Sequence, residues 1–559
     1  MNSVTVRKKL EKLNIRTDMI SDDKLRNDVV ALYNLIEELC VENEQLKTEN
    51  QKLRDENAKL KGEQGKPLIL PKKKSKNISS EDDRKDQEGH PDGKKSKEKK
   101  SEIKINRTEV CKVDKSILPA DAEFKGYHSV TVQEIKIETD NVEYRKEIYY
   151  SSSENKTYIG ELPAGIKGEF GPGVKALVTR MKYECNMSEP KIREFLNNER
   201  ILISGATISR ILTKDIEVFY EEKEEIFKSG LKAADYQQID DTTTRVNGSN
   251  CYTQVICNPY YTAFFTDSHK NRLSVIDILQ GNGVRIYYFT EEAFILLSKF
   301  GLSLKMINRL RELATGKKMS EEEMEDLLAN IFPDASKGRN QRSRIKEAAA
   351  IAAYHWQTDF PVIEVLLSDD APQYKHLTSE HGLCWVHEGR HFKKLNPVVP
   401  ENIEILKNFS KQFWEYYGKL LRYKADPNSE QAEALASEFD MLFATRTEYK
   451  ALNERIEKTE GKKAALLTVL EYPELPLHNN ASELGARAQK RRQDVSLHTK
   501  SEEGAKARDT FMTIVETAKK LGVSTKKYFE DRIAGKFEMP SLADMIDKTA
   551  LQARIPDTG

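Results

Sequence analysis

The chain has 559 residues, and its 90 Lys+Arg balance 90 Asp+Glu to give no net charge at neutral pH. This length accommodates several domains and at least one sizeable core. The balanced total excludes a globally basic nucleic-acid binder, so any DNA-binding surface must come from local clustering. No apolar run approaches a membrane span, and residues 1–10 lack the apolar core of a secretion signal. Six cysteines without a C-x-x-C pair fit a reducing compartment, so the expectation is a cytoplasmic protein without membrane contact.

Residues 1–61 read as a helical N-terminus. In "VVALYNLIEELCVENEQLKTENQKLRDENAKLK" (29–61), Leu32, Leu39, Leu46, Leu53 and Leu60 recur at heptad spacing. Val29, Ile36, Asn43, Asn50 and Asn57 precede them by three positions. This is the d/a pattern of a leucine-zipper coiled coil, and asparagine at a favours a two-stranded register. In a parallel homodimer Glu42 would face Lys47, Glu49 would face Arg54 and Glu56 would face Lys61, all attractive. The competing reading is a solvated single helix. Residues 62–104 hold "PKKKSK" and "GKKSKEKK" and too few apolar residues to fold alone, so they read as a charged linker. Its basic runs could touch DNA phosphates or simply act as a spacer.

Residues 105–230 read as a β-ribbon followed by a helical DNA-binding region. The stretch 128–162 alternates in a β manner, with breaks at "TDN" and "SSSEN". Residues 174–212 read as helical. They end in two short helices around a turn, the second capped by Ser204 or Thr207. Both a helix-turn-helix and an ordinary helical hairpin fit.

At 231 the pattern becomes α/β. "ADYQQIDD", "NCYTQVICN" and "YTAFFTDS" predict three successive strands, and "FPVIEVLLSDD" (360–370) predicts a buried one. A helical insertion at about 285–357 separates them within a first core segment, 231–397. A second helical insertion spans 398–472, where Leu406, Phe409, Phe413, Tyr416 and Leu420 at helical spacing read as core. Residues 473–535 form the C-terminal part of the core, with a helix at 503–521, and 536–559 read as a polar tail.

Asp240–Asp241 and Asp369–Asp370 sit at the ends of predicted strands. A lone aspartate pair there usually just starts a loop. Two pairs in one α/β block suggest clustered carboxylates, which repel unless a hard cation sits between them. Two such cations are the usual machinery for in-line attack on a phosphodiester. Glu483 in "HNNASELGARAQKRR" is the best third acid: Asn479 and Asn480 look like a helix entry, and Arg487 follows one turn later. Arg487, Lys490, Arg491 and Arg492 would lay DNA-binding charge beside it. A surface helix of mixed charge is the competing reading.

"IDDT", "LLSDDAPQY…CWVHEGRHF", "HNNASELGAR" and "FMTIVETAKKLGVS", in this order, resemble the motifs of the insertion sequence 66 family of bacterial transposases. The resemblance is nearest to a variant branch with D-D-T, D-D-A-P-Q and C-W-V-H motifs. It implies a ribonuclease-H-like core with a D-D-E triad that falls on Asp240, Asp369 and Glu483 and binds two Mg²⁺ or Mn²⁺ ions. Tyr374, Asn479, Asn480 and Arg487 match family positions, whereas Leu484 replaces an arginine. The cysteine-rich zinc module usual after the zipper has no counterpart, since Cys111 and Cys185 stand alone. The implied function is a DNA transposase that cuts transposon ends and joins the 3′-hydroxyl to target DNA, in trans within a synaptic dimer or higher oligomer. Its implied partners are transposon-end DNA, target DNA and small accessory proteins, with a nucleoid-associated location.

Cys384, Trp385, His387 and Arg390 belong to the family pattern. Cys384, His387 and His391 share one helix face, which cannot surround a tetrahedral ion by itself. No zinc is expected. Cys384 and Trp385 are read as packing residues, and His387 and Arg390 as support for the acids or contacts to DNA. Two alternatives share parts of this pattern: a structure-specific nuclease on the same fold, and a zipper-dimerised DNA-binding regulator without catalysis. The choice of Asp240 over Asp241, and of Asp369 over Asp370, is open at this level.

Overall fold

The computed structural model describes residues 3–13, 15–60, 103–119, 122–163, 165–281, 283–334, 337–496 and 499–554. Apart from its last two residues, the predicted linker lies outside the described residues, as does Lys61 of the third zipper pair.

Helix α1 (Ser3–Leu13) precedes one unbroken helix, α2 (Asp23–Leu60), which has neither Gly nor Pro to interrupt it. Asp22 Oδ1 accepts from the Leu25 amide at 2.7 Å and caps its start. The helix uses one face to dock on the rest of the chain. Glu37 is buried and accepts from the backbone amides of Val398 and Val399, each at 2.9 Å. Asn34 Nδ2 donates to the Glu448 carbonyl at 3.0 Å. At 100° per residue, Leu32, Leu39, Leu46 and Leu53 fall on the opposite face, and all four are exposed.

The β-ribbon is smaller than expected. Only the "SSSEN" break folds back, pairing β1 (Ile148–Ser151) with β2 (Lys156–Ile159) in an antiparallel hairpin. Residues 128–147 alternate as predicted but form no strand, because no neighbouring strand accepts their backbone hydrogen bonds; Val130, Val132 and Ile135 stay exposed. Three helices follow: α3 (Pro172–Tyr183), α4 (Glu189–Asn198) and α5 (Gly205–Thr213). Ser204 is the cap of α5, accepting from the Thr207 amide at 3.1 Å. Helix α6 (Glu217–Ala233) then leads into the sheet.

The sheet has the order β5–β4–β3–β8–β9. Strands β3 (Tyr236–Val246), β4 (Ser249–Cys257) and β5 (Thr262–Asp267) form an antiparallel meander. On the other side of β3, β8 (Val365–Ser368) and β9 (Glu380–Leu383) run parallel to it. The predicted strand at 360–370 is shortened to four residues, and β9 was not foreseen because "EHGL" lacks β-branched alternation.

Between β5 and β8 come α7 (Arg272–Leu279), α8 (Glu291–Lys299), α9 (Leu304–Ala314), α10 (Glu321–Ile331) and α11 (Arg339–Trp356). A two-residue ladder, β6 (Tyr287–Tyr288) with β7 (Lys318–Met319), ties this insertion together.

After β9, α12 (Trp385–Lys394) enters the second insertion: α13 (Pro400–Ala425), α14 (Ser429–Phe443), α15 (Lys450–Glu460) and α16 (Lys463–Leu466). Phe409, Phe413, Tyr416 and Leu420 are buried there around Trp385, so this insertion has its own core. Chain entry is fixed by the Trp385 indole N–H, which donates to the Leu466 carbonyl at 2.8 Å.

Helix α17 (Asn480–Ser496) crosses β3 and β4, and α18 (Glu502–Lys520) packs on β5. Edge strand β5 is sealed by side chains of α18. The Thr262, Phe264 and Thr266 amides donate to Thr517 Oγ1 (3.2 Å), Thr513 Oγ1 (3.1 Å) and Asp509 Oδ2 (2.7 Å). Past α19 (Thr525–Ile533), the predicted tail is instead partly helical. In α20 (Leu542–Arg554), Leu542, Ala543, Ile546 and Ala550 are buried and the helix packs on α6, an apolar stripe at helical spacing that its charged neighbours disguised.

Candidate active site

Asp240 lies on the central strand β3, and Asp369 directly follows β8. Gln238 pairs with Leu367 in the parallel register. Two residues further along each chain, the same register sets Asp240 beside Asp369. Asp240–Asp241 lie in the middle of β3 rather than at its end as expected, because β3 continues to Val246 paired with β4. It is the parallel register with the shorter β8 that brings the end of β8 to Asp240.

Glu483 comes from the first turn of α17, and three features set its place. Asn479 is fully buried, and its Nδ2 donates to the Ile239 carbonyl at 2.7 Å, beside Asp240. The Glu483 amide donates to the Asn479 carbonyl at 3.1 Å. Gly485 lets the helix lie flat on the sheet, since a Cβ there would meet Val255 Cγ1 at 2.6 Å.

Asp369 and Glu483 both act on Asp240, whereas the donor set lying within 4.8 Å of one another among the described residues is Cys384, His387 and Glu483. Burial, then the neighbouring Asp369 and, further down, Glu483 and Asp241, push the Asp240 carboxyl up to about 7, against a hydrogen bond from the Asp241 amide. Asp369 is also raised, chiefly by burial, with Asp241 and Asp370 adding to it. Neither Asp240 nor Asp369 has an ion-pair partner among the described residues.

Their sequence neighbours differ. Asp241 meets Lys270 Nζ at 3.2 Å. Asp370 is held between Lys375 at 2.8 Å and Lys462 at 2.7 Å. Among the described residues Asp240 and Asp369 are thus the two without an ion pair, Asp369 being eased by the Ala371 amide and more distantly by Lys270. A buried, mutually repelling set of oxygen donors suits a hard divalent cation, so these residues fit magnesium or manganese.

The histidine motif borders this site. Arg390 Nη1 donates to His387 Nε2 at 3.1 Å, and the Arg390 terminal nitrogens lie 3.5 Å from both Glu483 oxygens. His387 Nδ1 faces Glu483 Oε1 at 3.7 Å. Burial, with the nearby Arg390 adding to it, pushes His387 down to about 4. Cys384, His387 and Glu483 offer donor atoms within 4.8 Å of one another, so the fold supplies the remote ligand that one helix alone lacked. The thiol is already engaged, however. Cys384 Sγ accepts from the Asn479 amide at 3.3 Å, and burial pushes its thiol up to about 12. His387 Nε2 is taken by Arg390, but Nδ1, which faces Glu483, has no hydrogen-bond partner among the described residues, so it is the raised thiol that zinc would have to deprotonate. His391 is half-buried on the same helix, and His381 belongs to the sheet, its Nε2 on Ser368 Oγ at 2.8 Å. Tyr374 is fully buried, donating to Gln254 Oε1 at 3.0 Å beneath the aspartates.

The basic run divides in two. Arg487 is half-buried, while Lys490 and Arg491 are exposed. Arg492 is only 4% exposed; it donates to the Lys182 carbonyl and lies over the Tyr183 ring at 4.4 Å. It faces inward because the helix turns that position toward α3, so it cannot present its charge to a phosphate. Sequence reasoning missed Lys462, Lys375 and Lys270 beside the acids. They lie on separate segments, and no local pattern links them.

Residues 339–507 match the family model described as "Transposase IS66 family". This interval includes Asp369, the Cys384–Phe392 motif and Glu483. Among curated proteins, the chain is 30% identical over 305 residues to "Uncharacterized protein y4jO" of Sinorhizobium fredii (strain NBRC 101917 / NGR234), a match covering 55% of this chain and 94% of that protein.

Proposed function

The chain belongs to the IS66 family of transposases, and from that premise we propose that it cuts transposon ends and joins the freed 3′-hydroxyl to target DNA. The reading is supported above all by the parallel register of β3 and β8, which continued by two residues puts Asp240 next to Asp369, together with the charge of Glu483 acting on Asp240. The strand order, an antiparallel meander joined to two parallel strands, supports a ribonuclease-H-like core.

Asp240, Asp369 and Glu483 would hold two magnesium or manganese ions, whose chemistry is to lower the pKa of a water and offset charge on a leaving oxygen. The remaining work falls to the chain itself. Asn479 and Gly485 position Glu483. Arg390 and His387 orient its carboxylate. Arg487, Lys490 and Arg491, on the helix that carries Glu483, would take the DNA backbone. The exposed leucine face of α2 suits a parallel homodimer, because the opposite face is already committed to α13 and α15. Helices α3–α5 and the hairpin are the proposed end-binding region. The setting is DNA in the cytoplasm, with accessory proteins of the same element as further partners.

The test uses a precut duplex from the DNA flanking this coding sequence, with its 3′-hydroxyl exposed, and a supercoiled plasmid in Mn²⁺. The intact chain should form covalently joined products, and Asp369→Asn and Glu483→Gln should lose them by about a thousandfold or more. A protein that nicks the plasmid but never joins ends overturns the reading in favour of a nuclease. Activity unchanged in Asp369→Asn overturns the site.

A further inference from the structure

The loop after Asp369 is held by the second helical insertion. Asp370 forms ion pairs with Lys375 at 2.8 Å from the loop itself and with Lys462 at 2.7 Å from the insertion. Lys462 also donates to Glu388 Oε2 at 3.0 Å. Glu388 is 3% exposed and accepts from the Thr459 hydroxyl at 2.6 Å and from Arg455. Within eight residues, Arg455, Thr459 and Lys462 thus grip two acids of the core, one of them next to the proposed metal ligand.

The contacts on Glu388 are shielded, and the Lys462–Asp370 pair is partly so, with the Asp370 side chain 31% exposed. The Lys462 side chain is 16% exposed and that of Glu388 4%. Exposed ion pairs contribute little, but removing one partner of a buried set leaves a charge uncompensated. The core holds the same loop from its other side: Arg272 donates to the Pro372 and Lys375 carbonyls at 2.8 and 3.1 Å, the Tyr374 hydroxyl donates to Gln254 at 3.0 Å, and the Ala371 amide donates to Asp369 Oδ1 at 3.1 Å, so Lys462 is the insertion's contribution at the Asp370 end. At its other end, α15 meets α2, where the Lys450 amide donates to Asn34 Oδ1 at 3.0 Å and Lys450 Nζ pairs with Glu38 at 2.8 Å. Residues 450–462, α15 and the turn that follows it, thereby run from α2 to the loop after Asp369.

We propose that Lys462 is a positioning residue: through Asp370 it fixes the loop carrying Asp369, so the second insertion is part of the active site. The catalytic half of this inference rests on the transposase reading; the latch itself does not. It also assigns Asp370 to holding the loop, leaving metal binding to Asp369.

Hydrogen exchange and strand cleavage of the full chain test it, comparing Lys462→Met, Lys462→Arg and Asp370→Asn with the parent. In Lys462→Met and Asp370→Asn, amides of 369–376 should exchange at least about fivefold faster, with β4 and β5 unchanged. Nicking of supercoiled plasmid in Mn²⁺ should fall roughly 10- to 100-fold, as expected for a misplaced ligand. Lys462→Arg should restore both, and Lys462→Met combined with Asp370→Asn should be no worse than either alone. Unchanged exchange in both single variants overturns the latch. Where the parent nicks well above Asp369→Asn, faster exchange with nicking left at the parent level overturns the positioning role. If exchange quickens but the parent nicks no better than Asp369→Asn, the latch stands and the transposase reading falls. If Lys462→Met does not fold, Asp370→Asn and Lys462→Arg decide by the same two readouts.

Discussion

Arg390 holds Glu483 by both carboxylate oxygens, at 3.5 Å each, while it donates to His387 at 3.1 Å. The guanidinium therefore supplies neutralising charge to both Glu483 oxygens. A cation entering the site competes with it for the same oxygens. Arg390→Gln should bind Mn²⁺ about five- to tenfold more tightly in the absence of DNA, a gain of about 1 kcal/mol. Calorimetric titration of the full chain reads this, and weaker binding in the variant would show that Arg390 helps to build the site.

Asp240 predicts an unusual pH profile. Its carboxyl is raised from 3.8 to about 7 in the fold, chiefly by burial and then by Asp369. A carboxyl raised in the folded state favours the protonated fold, so the metal-free protein loses stability as pH rises from about 4 to about 7. The effect at pH 8 is on the order of 2 kcal/mol after allowance for solvent screening. Without divalent ions, Asp240→Asn should therefore melt higher than the parent at pH 8 and close to it at pH 4. A lower melting temperature at pH 8 sinks this account.

The split among the basic residues of α17 can be read from salt dependence. Replacing exposed Lys490 and Arg491 with alanine should flatten the log–log salt slope of DNA binding by about 2, one phosphate for each. Arg492→Ala should leave the slope alone but cost roughly 2 kcal/mol of stability, because its guanidinium packs on Tyr183 and donates to a backbone carbonyl. Filter binding at several salt concentrations, with parallel thermal melts, separates the two effects. A changed slope for Arg492→Ala would contradict its inward position.

The two faces of α2 should separate in mutagenesis. Leu39→Asp with Leu46→Asp removes two exposed apolar side chains and should yield a monomer by sedimentation, with the melting of the folded core little changed. Glu37→Ala should instead destabilise by roughly 2 kcal/mol while leaving the oligomer intact, since it strips the acceptor from the Val398 and Val399 amides at the start of α13. If Glu37→Ala alone dissociates the oligomer, the docking face and the dimer face are not independent.

Much of this architecture is written in local pattern. The heptads marked α2, the alternating apolar runs marked β3 to β5, and the aromatic spacing of 406–420 marked the core of α13. Other elements had no local signature. Strand β9 is four residues without β-branching, and α20 hides an apolar stripe among charges. The alternation at 128–147 was real, yet no strand formed, because a strand exists only where another chain segment completes its hydrogen bonds.

For the site, residue chemistry alone nominated the pairs Asp240–Asp241 and Asp369–Asp370 with Glu483 as the best third acid, and it was the family resemblance that put the triad on Asp240, Asp369 and Glu483. Residue chemistry could not separate Asp240 from Asp241 or Asp369 from Asp370, since adjacent identical residues look alike along a chain. The tertiary structure gives them different surroundings: Lys270 pairs with Asp241, and Lys375 and Lys462 pair with Asp370, whereas among the described residues no ion pair is made by Asp240 or Asp369, although Lys270 also acts on Asp369. Arg492 turned inward for the same kind of reason. Sequence determines which groups a residue carries and the period on which it falls. Only folding determines which distant charges share its low-dielectric surroundings, and charge pairing there decides whether a carboxylate is a fastening or a ligand.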